Sequence, residues 1–242
     1  RPNDMNERII GPIAAAIVGV LLALGLIGLG MSLSAGFLKY RAQERTVEVK
    51  GLAEREVPAN LAIWPISYTD TDNDLPALYA RFEAHKAAIE AFLKEREFEP
   101  SEITFGPPTI VDRQAREYGE QSGKFRYLGR AVVTVYTPKV NQVRAAIGRL
   151  GDLGKQGVVV SGEGPGVQFV FDGLNSIKPV MIEQAVKNAR ESAGKFATDT
   201  SSALGKVKRA AQGQFSIEDR DASTPHIKKV RVVSTIEYYL QD

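Results

Sequence analysis

Cysteine is absent from this chain, which excludes disulfides, thiolate metal sites and thiol chemistry together. Histidine occurs twice, at His85 and His226, and tryptophan once, at Trp64. Neither sign of charge is in excess: 31 Lys+Arg stand against 29 Asp+Glu. Setting aside Arg1, Arg8, Asp4 and Glu7 leaves 29 against 27 for residues 39–242. A nucleic-acid face needs clustered positive charge, so this balance argues against one and no nucleic-acid partner is expected.

The most informative absence is local. From Ile9 to Leu38 the chain has no Asp, Glu, Lys, Arg, His, Asn or Gln. As a helix this stretch would be about 45 Å long at about 1.5 Å per residue, more than the roughly 30 Å hydrocarbon core of a bilayer. Its Leu, Ile, Val and Phe residues give an insertion gain of at most roughly 5–9 kcal/mol, before the costs of Gly, Ser and Pro. A transmembrane helix over 9–38 is therefore expected, between a tail (1–8) and a juxtamembrane linker (39–45). A signal peptide would have an apolar region of only about 7–15 residues, so an uncleaved anchor is favoured even though Ser32-Leu33-Ser34 offers a passable cleavage site. Lys39, Arg41, Arg45 and Lys50 follow the segment and Arg1 and Arg8 precede it. This bias would place the larger part inside, but the rule weakens for long domains. Gly11, Ala15, Gly19 and Ala23 recur every four residues, as do Gly28, Ser32 and Gly36. Such ladders let helix backbones approach in lipid, although an Ala/Gly/Leu-rich span also produces them by chance.

Beyond the segment, hydrophobic periodicity alternates between two and 3.6. Strands are expected around 46–50 and 61–68, separated by a turn or bulged edge at Glu56–Asn60, with Pro65 marking an edge position or bulge. Asp74-Leu75-Pro76 opens a helix, with Asp as N-cap and Pro just inside. Leu75, Leu78, Phe82, His85, Ile89 and Phe92 form its buried stripe. Residues 103–111 and 127–136 read as a long hairpin with the charged tip 113–126, and a short helix follows near 140–150. Short strands at 158–160 and 167–171 flank Gly162–Gly166. A helix over 177–204 carries Ile182, Ala185, Val186, Ala189, Ala193 and Phe196 on its inner side, and strands at 207–218 and 228–240 close the chain. This predicts an α+β domain over 46–242, of largely antiparallel hairpins with helices packed on the sheet. A β-β-α-β-β pattern suggests a pseudo-repeat of 46–137 and 157–240.

The segment VEVKGLAEREVPANLAIWPISYTD, within Thr46–Asp70, resembles the SIMPL-domain family of bacterial envelope proteins. So do AVKNARESAGKFATDTSSALGKVKRAAQGQFSI, within Ile182–Ile217, and the closing KKVRVVSTIEYYL. The likeness covers nearly all of residues 45–240. It implies a SIMPL-type α+β fold, a periplasmic or envelope location and a ring-like homo-oligomer. It carries no established catalytic residues. Many relatives have a removable signal peptide, so this chain would be an inner-membrane-tethered version with its C-terminal domain in the periplasm.

No reactive motif stands out. Gly162-Glu163-Gly164-Pro165-Gly166 precedes a strand rather than a helix, which favours a turn over a phosphate loop. Asp70, Asp72 and Asp74 lack the glycine and closing Glu of a calcium loop and read as turn and cap residues. His85 is expected as a hydrogen-bonded core or interface residue and His226 in a surface turn. No catalytic residues, metal site or cofactor are predicted. Trp64, Phe105, Tyr118, Phe125 and Tyr127 suit either core packing or a subunit interface. Arg113, Arg116, Tyr118, Phe125 and Arg126 are the candidate oligomer interface, because so long a charged loop invites a function. The expected function is a non-enzymatic, membrane-anchored envelope protein assembling into a homo-oligomeric ring. The alternative is an anchored adaptor for peptides, lipids or other envelope proteins. The expected partners are the bilayer and further copies of the chain.

Overall fold

The computed structural model describes residues 18–34, 45–115, 124–162 and 165–241. The chain divides into two compact units. One comprises residues 1–51, 186–212 and 234–242, and the other 52–185 and 213–233. The architecture is α+β, with two antiparallel sheets and helices, as the patterning predicts.

Residues 18–34 form helix α1, and every one of them is exposed. Among the described residues no helix is long and apolar enough to cross a membrane. The reason is length: α1 as described spans about 25 Å at about 1.5 Å per residue, against a roughly 30 Å core. The expected span over 9–38 is thus not met within the described residues. Gly11, Ala15 and Gly36 lie outside them, whereas Gly19, Ala23, Gly28 and Ser32 lie on α1.

Strands β1 (Thr46–Pro58) and β2 (Leu61–Asp72) do not form the hairpin that their spacing suggests. β1 belongs to a four-stranded sheet A in the order β1-β10-β8, where β8 is Ala203–Gln212 and β10 is Ile227–Gln241, with β9 (Ser216–Asp219) also on β10. β2 belongs to a six-stranded sheet B. The turn between them is fixed by distant partners instead. Ala59 N–H donates to His226 O at 2.8 Å and Asn60 N–H to Val170 O at 3.0 Å.

Sheet B is centred on β2 and β5 (Tyr127–Thr137), antiparallel from Ala62↔Thr137 to Asp72↔Tyr127. On its outer sides lie pieces: β3 (Ile103–Phe105) and β4 (Thr109–Asp112) on β5, and β6 (Val159–Val160) and β7 (Gln168–Val170) on β2. β6 and β7 flank the glycine-rich segment as expected, but each pairs with β2 rather than with the other. This break explains Pro65. Ser67 accepts from Ser161 N at 2.8 Å, so Pro65, two residues earlier, turns its missing N–H to the same side. There it faces the gap between β6 and β7, where no ladder bond is lost.

Helix α2 (Leu75–Lys94) starts where the sequence predicts, with Asp74 Oδ2 accepting from Ala77 N at 3.2 Å. Leu78, Phe82, Ile89, Phe92 and Leu93 are buried with Trp64, Ile66, Tyr68, Val133 and Val135 of the sheet. Val143 of α3 (Val140–Ile147) and Leu153 of α4 (Gly151–Lys155) complete this core.

Helix α5 runs over Leu174–Asp199, starting and ending earlier than the expected 177–204. It presents a ladder of small residues, Ala185, Ala189, Ala193 and Ala197, all at 0–2 % exposure. Within one unit Ala189 and Ala193 pack with Val47, Ile236 and Tyr238; within the other Ala185 packs with Ala53, Val57, Val230 and Val232. Methyl-sized side chains let a helix lie close over a sheet. Val186 and Phe196, expected on the inner side, are instead 39 % and 48 % exposed. β8 (Ala203–Gln212), β9 (Ser216–Asp219) and β10 (Ile227–Gln241) finish sheet A.

Candidate functional site

Three places on the unit containing sheet B concentrate polar or concave features. The first is the base of the charged hairpin tip. Arg126 Nε lies 3.1 Å and its Nη2 2.7 Å from Asp112 Oδ2, its backbone N–H donates to Asn73 Oδ1 at 2.8 Å, and its carbonyl accepts from Arg113 N at 2.9 Å. The guanidinium also sits 4.8 Å from the Tyr127 ring. The Arg126 hydrogen bonds hold the Asp112 carboxyl below its usual range and push the arginine's own pKa up. Beside it, Asp72 accepts from Asn73 N at 2.6 Å and Asp74 N at 3.0 Å and pairs with Arg81. The backbone donor of Asp74 leads in lowering the Asp72 pKa, with Asn73 and Arg81 adding to it. Arg81 further donates to Thr71 O at 2.8 Å. The acidic triplet is thus turn and cap chemistry, as expected, and its members are tied into the scaffold.

Of the residues predicted for this interface, Arg116 and Tyr118 lie outside the described residues. Arg113 is exposed and Phe125 is 37 % exposed. The scaffold therefore clamps both ends of the tip through Asp112, Arg126 and Asn73, the arrangement by which a rigid base presents a loop. Asn73 was not singled out in the sequence; the Asx-type composition of residues 70–74 is the signal that pointed nearest to it.

His85 lies half-buried on α2 with Nε2 3.0 Å from Asp70 Oδ2 and its ring edge-on to Tyr68 at 6.2 Å. This matches the expected hydrogen-bonded core position. Burial raises the Tyr68 pKa, and Glu83 adds to the rise. Arg81 Nε approaches the same Asp70 oxygen at 3.5 Å. His226, expected in a surface turn, packs edge-on to Phe169 at 6.1 Å, and burial lowers its pKa, with Arg144 and Arg220 contributing. Trp64 and Phe105 belong to the core side: Trp64 is 3 % exposed and Phe105 packs against the same cluster.

The second place is a cleft of about 550 Å³ lined by Glu95, Arg96, Glu97, Gln142, Arg149 and Asp152 among others. Arg96 stacks 3.6 Å over Phe92, donates to Phe92 O at 2.8 Å and approaches Asp152 at 3.5 Å. Gln142 Nε2 donates to Glu97 Oε2 at 3.0 Å, while its buried Oε1 has no hydrogen-bond partner among the described residues. Lys155 leads in lowering the Asp152 pKa, and Arg149 and Arg96 add to it. The cleft thus carries mixed, mutually compensating charges.

The third place is a hollow of about 190 Å³ lined by Trp64, Pro65, Ile66, Leu150, Val160 and Val167 among others, at the gap between β6 and β7. It is small and mainly aliphatic. Among the described residues no group of three or more His, Asp or Glu side chains is placed to hold a metal ion.

No curated protein matches the chain. Residues 47–237 match the SIMPL family, described as a protein of unknown function (DUF541). That match spans well over half of the sequence and takes in at least part of every strand from β1 to β10, and on this basis the chain belongs to the SIMPL family.

Proposed function

We propose that this chain is a non-enzymatic envelope protein, tethered to the inner membrane by residues 9–38, whose SIMPL domain assembles into a homo-oligomeric ring in the periplasm. The observation that carries the reading is α1. Val18, Val20, Leu21, Leu24, Leu26, Ile27 and Leu29 are each at least 55 % exposed, and at about 100° of turn per residue they fall on all sides of the helix. A helix apolar all round needs a surrounding apolar medium, either a protein core or lipid. The uncharged sequence continues beyond α1 on both sides, from Ile9 and to Leu38. Oligomerisation draws support from the family resemblance, and a closed ring would make many modest contacts reinforce one another.

Two measurements test it. The full chain should sediment with membranes after an alkaline wash and be released by detergent. Mass photometry of the detergent-solubilised protein should give one multi-subunit species. A chain that washes off removes the anchor, and a single-subunit particle at micromolar concentration removes the ring.

The second reading, an anchored adaptor for peptides, lipids or other envelope proteins, is favoured by the cleft beside Arg96 and Gln142. It would prevail if crosslinking in membranes captured a different protein before a second copy of this chain.

A further inference from the structure

The two sheets finish their edges differently. Sheet B ends on broken pieces of 3 and 4 residues on one side and 2 and 3 on the other. Short, interrupted edges leave little backbone for another chain to pair with. Sheet A ends on β1, 13 residues long, and on β8, 10 residues long. Among the described residues, β1 and β8 each have β10 as their one paired strand. Every residue of β8 except Leu204 and Gly205 is exposed.

The direction of the β8 amides follows from the ladder. Gly213 N–H donates to Val233 O at 2.8 Å, and the register continues through Ala211↔Thr235 and Arg209↔Glu237. With a period of two, Arg209 and Ala211 turn their N–H groups to β10, whereas Ala210 and Gln212 turn theirs outward. Val207 and Phe196, in the same unit, remain 52 % and 48 % exposed. β8 carries Lys206, Lys208 and Arg209 and no acid. β1 carries Glu48, Glu54 and Glu56 against Lys50 and Arg55. Glu54 and Glu56 already pair with Lys229, Arg231 and Arg220, and Lys208 with Glu237, which leaves Lys206 and Arg209 of β8 and Glu48 of β1 as the charges that bear on a neighbour.

We infer that β8 of one copy pairs with β1 of the next, so that sheet A continues from subunit to subunit. Two different long edges on one sheet make a head-to-tail contact, the kind that generates rings when the rotation closes. Backbone hydrogen bonds would supply the affinity, and the basic strand would meet the more acidic one. This inference rests on the oligomeric reading above and assigns it a surface.

Proline substitution isolates the outward face of β8. Ala210→Pro removes an N–H that points away from β10, so β8–β10 pairing survives while the edge is blocked. In the full chain in detergent, mass photometry should show wild type as a multi-subunit particle and Ala210→Pro as a single subunit. The two should have the same far-UV circular dichroism, and the variant should still melt cooperatively, with its Tm lowered by the loss of partner subunits. A variant that stays assembled overturns this inference and leaves the oligomeric reading standing; a single-subunit wild type overturns both. Should Ala210→Pro not fold, amide hydrogen exchange of the wild-type particle decides. Amides of Ala210 and Gln212 exchanging about as slowly as those of Arg209 and Ala211 support the pairing, and exchange at least about tenfold faster overturns it.

Discussion

The hydroxyl of Thr137, fully buried, donates to Glu102 Oε1 at 2.6 Å and accepts from Lys139 N at 3.1 Å. Lys139 Nζ closes the set at 3.0 Å from Glu102 Oε2. Burial pushes the Glu102 carboxyl up, yet the hydrogen bonds from Thr137, the Glu99 backbone and Lys139 together hold it below its usual range. This network fastens the end of β5 to the turn before β3. Thr137→Val keeps the shape of the side chain and deletes its hydrogen bonds. It leaves Lys139 N–H and one Glu102 oxygen without that partner, so the loss should be about 1–3 kcal/mol. Chemical denaturation should show a lower midpoint at unchanged slope.

Gly129 and Gly154 should respond to alanine in opposite directions. A Cβ on Gly129 would meet Phe82 Cε2 at 2.2 Å and Ile110 Cδ1 at 2.9 Å, inside the packed core of sheet B. Overpacking of this kind typically costs about 1–3 kcal/mol. At Gly154, within α4, a Cβ meets nothing within 4 Å. There alanine gains helix propensity and should stabilise by about 0.5–1 kcal/mol. Thermal melts of the two variants, read against wild type, check both signs.

What was legible in the sequence was local. Asp74 and Pro76 marked the start of α2 because a cap and a first-turn proline act on their own neighbours, and its stripe from Leu78 to Phe92 followed from the helical period. The alanines of α5 announced a close approach for the same reason. What failed depended on distant partners. The β1–β2 hairpin was read from two adjacent strands and a turn, but Ala59 and Asn60 bond to His226 and Val170. Nothing in residues 56–60 encodes those acceptors. β6 and β7 likewise looked like partners across a glycine-rich turn, and Pro65 carried the missing information from another strand. At the candidate site, the tip was visible as charge, whereas its clamp needed Asn73 brought beside Arg126 by the pairing of β2 with β5.

The buried alanines of α5 should resist enlargement. Ala193 has 0 % exposure among Val47, Ile236 and Tyr238. Leucine adds three carbons where the helix meets the sheet, and strain of about 1–3 kcal/mol follows. Gly194, one residue on, has open space where a Cβ would sit. Gly194→Ala should instead stabilise by about 0.5–1 kcal/mol through helix propensity. Paired melts separate close packing from any general sensitivity of the helix.

Asp221 gives the chain an acid-sensitive turn. Its carboxylate accepts from the Thr224 hydroxyl, from Arg220 Nε at 2.9 Å, and from the backbone N–H groups of Ser223 and Thr224 at 2.9 and 2.8 Å. The Thr224 hydroxyl leads, followed by Arg220, in lowering its pKa from 3.8 to about 2. A carboxylate whose pKa is lowered on folding binds fewer protons in the folded state, so it stabilises the fold above its unfolded pKa. That contribution is lost as pH falls from the unfolded value of 3.8 through about 2. Asp221→Asn should therefore lower Tm at pH 7 and at pH 5 by the same amount. The gap to wild type should narrow between pH 4 and pH 2, and a gap independent of pH across that window would assign the loss to packing of the turn rather than to its charge.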